Sequence, residues 1–536
     1  MGDGSRPARS PTADPVRGWR APAIVLGVAL WAQWPLLVNA HGVYWDDWTI
    51  WGQTYDEMMK SWRGNGLVWA GWIHQIMGAI GNGIWPYRLA TGAAWCVIAW
   101  SVASLGRTTG LLDARRAVIA GALTAAVPLF PARVCLAIFH YSLMPALLAA
   151  ASLLLASPQR CRRPAVRAGV ATLTFAACLF PSVPAVAPIA WWAACQSAVP
   201  RRRGTSWART VAGWVRAAPE MPLAAVAAVL VSRLLLRPAE GGLWAEQGYH
   251  ALSVGGAIRA LALVPPALQV VGEQIGRAVG SLNVLWLLAA AFATARAAPA
   301  APRPDAAARA TTGASLRIAS VGLALLVLGL LPYLVAAKLP TLDGWRTRHA
   351  LLAAPGAALL LVGVAGCVGL RGRPAAFAAL LAVACCAQTS AAQQVEHLRT
   401  WFRMEAVTAA LRDAPLVRAA SVVSFRDENP DRVEAWRPYE CAGLLRVATG
   451  EETRYGATDL APRQPVTVTE EQRRFGAWNC SGFRSGEATV EVVVRRSWEA
   501  PSRGDLLHAV WRRTLAPDAF ERDLAVRPGI DVRPLE

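Results

Sequence analysis

Two adjacent carboxylates stand shortly after the first apolar segment of the chain. Asp46 and Asp47 lie between Trp45 and Trp48, a few residues beyond an apolar run at 21–40 that is long enough to cross a membrane. Carboxylates at a membrane surface are costly without a partner, and such a pair could accept a proton from a reacting hydroxyl or bind a divalent cation. The alternative is an interfacial belt of tryptophans beside aspartates that face water. The residues alone leave both interpretations open.

The composition places these residues in an integral membrane protein. Only 17% of the 536 residues are charged, and apolar runs of about 17 to 22 residues recur along the chain. The net charge of +19 arises before residue 391, because arginines and acidic residues are nearly equal in number beyond it. The arginines cluster in short loops that alternate with arginine-poor loops, as the positive-inside rule expects. This pattern predicts a lipid bilayer as the partner and argues against nucleic acid.

The pattern predicts about eleven transmembrane helices, with the N-terminus in the cytoplasm and the C-terminus outside. They are expected at 21–40, 85–105, 117–131, 134–156, 168–179, 183–199, 221–236, 281–297, 316–337, 350–370 and 375–391. The short pair on either side of Pro181 and Pro184 could instead form a broken hairpin. The segment at 261–280 could be a further span or an external amphipathic or re-entrant helix.

The predicted architecture is a polytopic α-helical membrane protein with a C-terminal extracytoplasmic α+β domain. Residues 1–20 form a cytoplasmic tail, 21–391 form the membrane domain with a long first outer loop at 41–84, and 392–536 form the soluble domain. Strands are expected at 466–469 and 488–494, and a helix at 401–411. Cys441 and Cys480 lie in this domain, and an extracytoplasmic location favours a disulfide between them.

The acidic pair after the first helix, the long amphipathic outer loop, the helix count and the outward C-terminal domain together resemble the GT-C membrane glycosyltransferases. Among these, the protein O-mannosyltransferase, aminoarabinose-transferase and bacteriophage-type glucosyltransferase relatives look most similar. The resemblance covers 21–391, and its one motif is Asp46-Asp47-Trp48. It implies an inverting transferase with a polyprenyl-phosphate-linked sugar donor, and Asp47 or Asp46 as catalytic base or as ligand of Mg²⁺ or Mn²⁺. Asp47 is slightly favoured because it directly precedes the tryptophan.

A polyprenyl-phosphate leaving group would need cations near the outer membrane surface. The outer loop at 338–349 contains Arg346, Arg348 and His349 just before a helix, whose N-terminal dipole would also favour a phosphate. Outer arginines run against the positive-inside rule, although snorkelling at the interface is an alternative explanation. Weaker candidates for a sugar pocket, each of which could equally be structural, are His74, Arg133 and Tyr249.

Two hypotheses from other classes stay open beside the transferase. A transporter or flippase would place ionisable groups at the bilayer midplane and show repeated halves, and neither feature is evident in this sequence. A non-catalytic envelope assembly protein would depend on the C-terminal domain and would tolerate Asn at positions 46 and 47. The alanine- and arginine-rich composition suggests a bacterial cytoplasmic membrane. The sugar and the acceptor, which could be a lipid, a polysaccharide or a protein, stay undetermined.

Overall fold

The structure is a computed structural model, and helices dominate it. It describes residues 20–51, 55–80, 83–157, 163–198, 206–237, 254–296, 305–370, 372–428, 436–451, 453–467, 483–499, 501–525 and 529–536. The first ten helices are α1 (Arg20–Val38), α2 (Tyr55–Gly64), α3 (Val68–Ala79), α4 (Ile84–Thr108), α5 (Ala114–Ala126), α6 (Phe139–Leu155), α7 (Pro164–Cys178), α8 (Ala187–Ala198), α9 (Trp207–Ala217) and α10 (Glu220–Leu234). The later ones are α11 (Val254–Gly280), α12 (Val284–Arg296), α13 (Asp305–Val335), α14 (Ala353–Cys367), α15 (Gly372–Arg412), α16 (Pro415–Ala419), α17 (Pro438–Thr449), α18 (Arg503–Leu515) and α19 (Pro517–Ala525).

Several of these helices have the length and composition of membrane spans. Within the described ranges, five pass this test, namely Arg20–Val38, Ile84–Thr108, Gly255–Gly280, Thr312–Val335 and Arg373–Arg412. Helices α9 and α10 could together form a sixth, although they are bent by 75° relative to each other. Each predicted span overlaps a helix. A helical membrane protein is therefore supported, whereas the number of spans and their orientation stay predictions.

The connection between α5 and α6 departs from the predicted helix at 134–156. Pro131–Val134 form a 3-10 turn, and α6 begins only at Phe139. The Ala132 N–H donates to the Thr347 hydroxyl at 3.2 Å, and the Ala137 N–H donates to Asp47 at 2.7 Å. These tertiary hydrogen bonds satisfy buried backbone groups that a continuous helix would have paired internally.

Helices α13 and α14 pack with their backbones in close contact. A Cβ added to Gly356 would lie 2.3 Å from the backbone nitrogen of Leu326, and one added to Gly363 would lie 2.4 Å from that of Ala319. Between helices in lipid, small residues permit this approach, and van der Waals packing replaces the missing hydrophobic drive.

Helix α15 joins the helical bundle to the soluble domain without a break. It is 41 residues long, so the predicted boundary at 391 and the predicted helix at 401–411 both lie inside it. In its later part, Arg403 forms a 2.6 Å ion pair with Asp427 of the soluble domain.

Among its described residues, this domain is built on a five-stranded mixed sheet. Its strands are β1 (Val422–Asp427), β2 (Tyr455–Thr458), β3 (Pro465–Val466), β4 (Gly486–Val494) and β5 (Ile530–Pro534). Strand β1 pairs in parallel with β2 and β4, and β4 pairs antiparallel with β3 and β5. The predicted strand at 488–494 lies within β4. Of the predicted strand at 466–469, Val466 belongs to β3, while residues 468 and 469 lie outside the described residues. We call residues 415–536 the sheet domain.

Helix α17 forms the crossover between β1 and β2 and has clear end signals. Pro438 occupies its first turn, Glu440 accepts a hydrogen bond from the Arg437 N–H, and Gly450 ends the helix in a left-handed conformation with φ of 74°. The Cys441 side chain in this helix is buried. Cys480 lies outside the described residues, so a disulfide between the two stays a prediction.

Replacing Gly356 with Ala is expected to destabilise the bundle by about 1–3 kcal/mol, because the new methyl group overlaps the backbone of α13. The matched control is Gly313→Ala in α13, where nothing lies within 4 Å of the added Cβ. That change is expected to be neutral or stabilising by up to about 1 kcal/mol. The measurement is the thermal unfolding midpoint in detergent, followed by size exclusion. Equal midpoints for the two variants would contradict the close packing.

Candidate functional site

The two aspartates lie on a single 3-10 turn, Trp45–Thr49, which we call the acidic turn. The segment before it is held by α4 and α15. The Arg88 guanidinium of α4 donates to the carbonyls of Asn39 at 3.1 Å and Gly42 at 2.7 Å. The Tyr44 hydroxyl donates to the His397 carbonyl of α15 at 2.7 Å. These contacts place the acidic turn against the end of the bundle from which the sheet domain extends.

Asp47 is fully buried and acts as a hydrogen-bond acceptor within the fold. One carboxylate oxygen accepts from the Cys135 thiol at 2.6 Å and the Ala137 N–H at 2.7 Å, and the other accepts from the Tyr44 N–H at 3.1 Å. Burial raises the pKa of Asp47 to about 6, although these donors partly oppose the shift. Burial and the adjacent Asp47 raise the pKa of Cys135, so its thiol stays protonated and able to donate.

Asp46 is partly exposed and faces the sheet domain. Its Oδ1 accepts from the Tyr439 hydroxyl at 2.6 Å and from the Arg437 guanidinium at 3.2 Å. The same guanidinium nitrogen donates to the Tyr439 oxygen at 2.5 Å. Burial and the adjacent Asp46 raise the pKa of Tyr439, so the phenol keeps the proton that it donates. Asp46, Arg437 and Tyr439 thus form one connected group across two domains.

Glu440 fixes the end of α17 against the acidic turn. Its Oε1 accepts from the Trp45 N–H at 3.1 Å, while its Oε2 accepts from the Arg437 N–H at 2.8 Å. One turn further along α17, a Cβ added to Gly443 would lie 2.3 Å from the Trp48 ring. The orientation of Arg437 and Tyr439 toward Asp46 therefore depends on the backbone of the acidic turn itself.

The loop at 338–349, which we call the basic loop, meets this group through Trp345. The Arg348 guanidinium lies 4.0 Å from the centre of the Trp345 ring, and the Arg437 guanidinium lies 5.8 Å from it. The Trp45 ring packs on the same indole at 5.7 Å. Such contacts combine cation–π attraction with stacking of the planar guanidinium. Arg348 and Arg437, which pairs with Asp46, thus both lie near the Trp345 ring.

Arg346 and His349 occupy different environments in the basic loop. Arg346 is exposed, whereas His349 is buried against the Tyr333 ring at 5.1 Å. The His349 Nδ1 lies 3.1 Å from the Leu339 carbonyl. Burial and then Arg348 lower the pKa of His349 to about 3, so the imidazole is neutral near pH 7. A role for His349 as a cation for phosphate is therefore not supported.

His74 and Arg133 are buried elsewhere. His74 hydrogen-bonds the Tyr87 hydroxyl at 2.8 Å and stacks on the Trp62 ring at 5.2 Å. Arg133 donates to the Ser390 hydroxyl at 2.5 Å, which ties its loop to α15. Both residues therefore have structural roles, because their contacts join neighbouring segments of the bundle. Tyr249 lies outside the described residues.

The acidic turn does not fit a divalent cation well. Asp46 and Asp47 face different partners, and Asp46 already holds the positive charge of Arg437. In the part of the chain that the structure describes, no group of three or more His, Cys, Asp or Glu side chains could hold a metal ion.

Asp47→Asn is expected to remove a pH-dependent part of the stability. The pKa of Asp47 is about 6 in the folded protein and about 3.8 in the unfolded chain. Between these two pH values the folded state therefore binds a proton that the unfolded chain does not. Stability therefore rises as the pH falls from 7 to 5, by about 1 kcal/mol. Unfolding midpoints of wild type and variant between pH 7 and pH 5 check this, and parallel profiles would contradict it.

Arg437, Tyr439 and Glu440 are site residues that the sequence analysis missed. The Arg437-Pro438-Tyr439-Glu440 run carries the signal of a helix start, with proline in the first turn and an acid three residues after the cap. Nothing local indicates that this helix start faces residues almost four hundred positions earlier. The chain matches no protein-family model, no curated protein and no solved structure.

Proposed function

We propose that this protein is a membrane glycosyltransferase that moves a sugar from a polyprenyl-phosphate-linked donor to an acceptor hydroxyl. The observation that carries the proposal is the group formed by Asp46, Arg437 and Tyr439 beside Trp345 and Arg348. A partly exposed carboxylate can act as a general base. Two guanidinium groups near one indole can bind a phosphate.

Asp46 is the better candidate for the base, although the sequence slightly favoured Asp47. The Asp47 carboxylate is wholly buried and accepts from donors on both oxygens. The Asp46 side chain is 18% exposed, so an acceptor hydroxyl could approach it. Its hydrogen bonds to Tyr439 and Arg437 would hold the carboxylate in one orientation during the reaction.

Arg348 and Arg437 are the candidates for binding the donor phosphate. Arginine presents a planar fork that matches two phosphate oxygens. The Trp345 ring lies within cation–π distance of both guanidinium groups. Arg346, exposed in the same loop, could add to the positive field as the donor approaches.

An apolar groove that runs from Leu352, just after the basic loop, to Leu111, just after the end of α4, would suit the lipid part of the donor. It has a volume of about 150 Å³ and lies among α4, α6, α8, α13 and α14. Leu352, four residues after Arg348, lines it together with Leu325 and Leu359. A polyprenyl chain in this groove would leave its phosphate near the end of the bundle that carries the basic loop.

The proposed reaction is a single displacement with inversion. The acceptor oxygen forms a bond to the anomeric carbon as the bond from that carbon to the phosphate oxygen breaks. The electron pair of the broken bond leaves with the polyprenyl phosphate, whose charge Arg348 and Arg437 stabilise. Asp46 takes the proton of the acceptor hydroxyl.

The proposal includes the predicted topology. Eleven spans with the N-terminus in the cytoplasm would place the acidic turn, the basic loop and the sheet domain on the extracytoplasmic side. That side of a bacterial cytoplasmic membrane is where flipped lipid-linked sugars would be available. The arginine-rich loops at the opposite ends of the helices support this orientation.

Asp46→Asn tests the base role. In a deletion strain, wild type and the control Asp56→Asn, an exposed residue of α2, are expected to restore a defined sugar in the envelope glycans and glycolipids. Asp46→Asn is expected to restore less than about one-hundredth, because a positioned general base contributes about 100- to 10,000-fold. Mass spectrometry at matched protein levels is the measurement. Full restoration by Asp46→Asn would refute the base role and favour the transporter and assembly hypotheses.

Tyr439→Phe tests the contribution of the sheet domain. The ring is kept while the 2.6 Å hydrogen bond to Asp46 is lost. A hydrogen bond to a charged group is worth about 1.5–3 kcal/mol, so the rate of sugar incorporation should fall about 10- to 100-fold. The control is Tyr55→Phe, at an exposed position of α2. An unchanged rate for Tyr439→Phe would mean that α17 serves only to pack the domain.

A further inference from the structure

The turn between α18 and α19 exposes an apolar surface on the sheet domain. Trp511 and Leu515, one helical turn apart on α18, are 63% and 73% exposed. Ala516 and Pro517, at the turn itself, are also exposed. We call these four residues the apolar tip. Isolated exposed hydrophobics are common, but a tryptophan and a leucine on one helix face beside an apolar turn form a contiguous patch.

The apolar tip lies next to the end of a membrane helix. The Thr514 hydroxyl, between Trp511 and Leu515 in the chain, hydrogen-bonds His41 Nε2 at 2.9 Å. His41 comes three residues after Val38, the last residue of α1, and its ring stacks on Trp401 of α15 at 5.9 Å. The bilayer surface therefore lies close to the tip, because α1 is long and apolar enough to span the membrane.

The two arginines that follow Trp511 are paired with carboxylates of α15 and α19, while Asp518, next to Pro517, is exposed. Arg512 forms an ion pair with Asp523, and Arg513 pairs with Glu405 and Glu521 at 3.4 Å each. These pairs compensate the two arginine charges next to Trp511 in the chain.

Other exposed tryptophans lie at the same end of the bundle. Trp85 is 53% exposed in the first turn of α4, close to Arg88, which contacts the segment containing His41. Trp72 of α3 is 54% exposed. Tryptophan is enriched at the membrane interface, where its ring lies among the lipid headgroups. Trp511 continues this group of residues onto the sheet domain.

We propose that the apolar tip inserts into the interfacial region of the bilayer, so that the sheet domain rests on the membrane at a second point besides α15. The occupant of this surface is lipid, because the tip adjoins the end of a spanning helix and matches the aromatic residues around it. This inference does not depend on the proposed transferase activity. It would hold equally for a transporter or an assembly protein.

Photocrosslinking tests the proposal in the full chain. A benzoylphenylalanine replaces Trp511 in protein reconstituted into vesicles of phosphatidylcholine and phosphatidylglycerol, and irradiated samples are analysed for lipid adducts by mass spectrometry. Leu30, exposed on α1, gives the reference for full lipid contact. Thr489 is the negative control. It is exposed and follows Ala488, which pairs with Val422 at one end of the sheet. The contact between Arg403 of α15 and Asp427 lies at the other end.

The expected result is a lipid adduct at position 511 of at least about one-third of the yield at position 30, with little at 489. The same substitution at Leu515 should also yield a lipid adduct, which guards against a local effect of replacing Trp511. Adducts at 511 and 515 that equal the background at 489, or that join two copies of the chain, would overturn the proposal. Size-exclusion profiles matching wild type establish that each variant is folded.

Discussion

The hydrogen bonds to the buried Asp47 carboxylate are the interaction on which the candidate site depends. Their donors belong to two segments, namely Tyr44 just before the acidic turn and the connection between α5 and α6. A buried carboxylate without such donors would be very costly, so the two segments must keep this arrangement. With Asp47 turned into the fold, its neighbour Asp46 faces the sheet domain. One aspartate of the pair thus positions the other.

The helical bundle and the sheet domain both contribute residues to the candidate site. Asp46 comes from the bundle, whereas Arg437 and Tyr439 come from α17, and Trp345 of the basic loop touches both sides. Gly443 permits the close approach, since any larger residue would overlap Trp48. The sheet domain is therefore a structural part of the site, whatever reaction or transport the site supports.

Hydropathy predicted where apolar helices lie, because lipid forces apolar residues into continuous runs. It left Gly255–Gly280, which has the length and composition of a span, outside the eleven predicted spans. The same signal could not predict the start of α6, where tertiary hydrogen bonds replace helical ones, or the contact of Asp46 with α17. The sequence singled out Asp46 and Asp47 as a pair but could not tell which was buried. It also grouped His349 with Arg348, although adjacent residues of a 3-10 turn point in different directions.

The unbroken α15 relates membrane thickness to the geometry of the sheet domain. Its 41 residues span about 60 Å, of which about 30 Å matches the hydrocarbon core. The number of residues in α15 therefore sets the distance of the sheet domain from the membrane. Inserting a single residue where α15 leaves the bilayer would raise everything beyond it by about 1.5 Å and rotate it by about 100°. Such a rotation would carry α17 away from the acidic turn, so changes in chain length can accumulate in the loops but not in this helix.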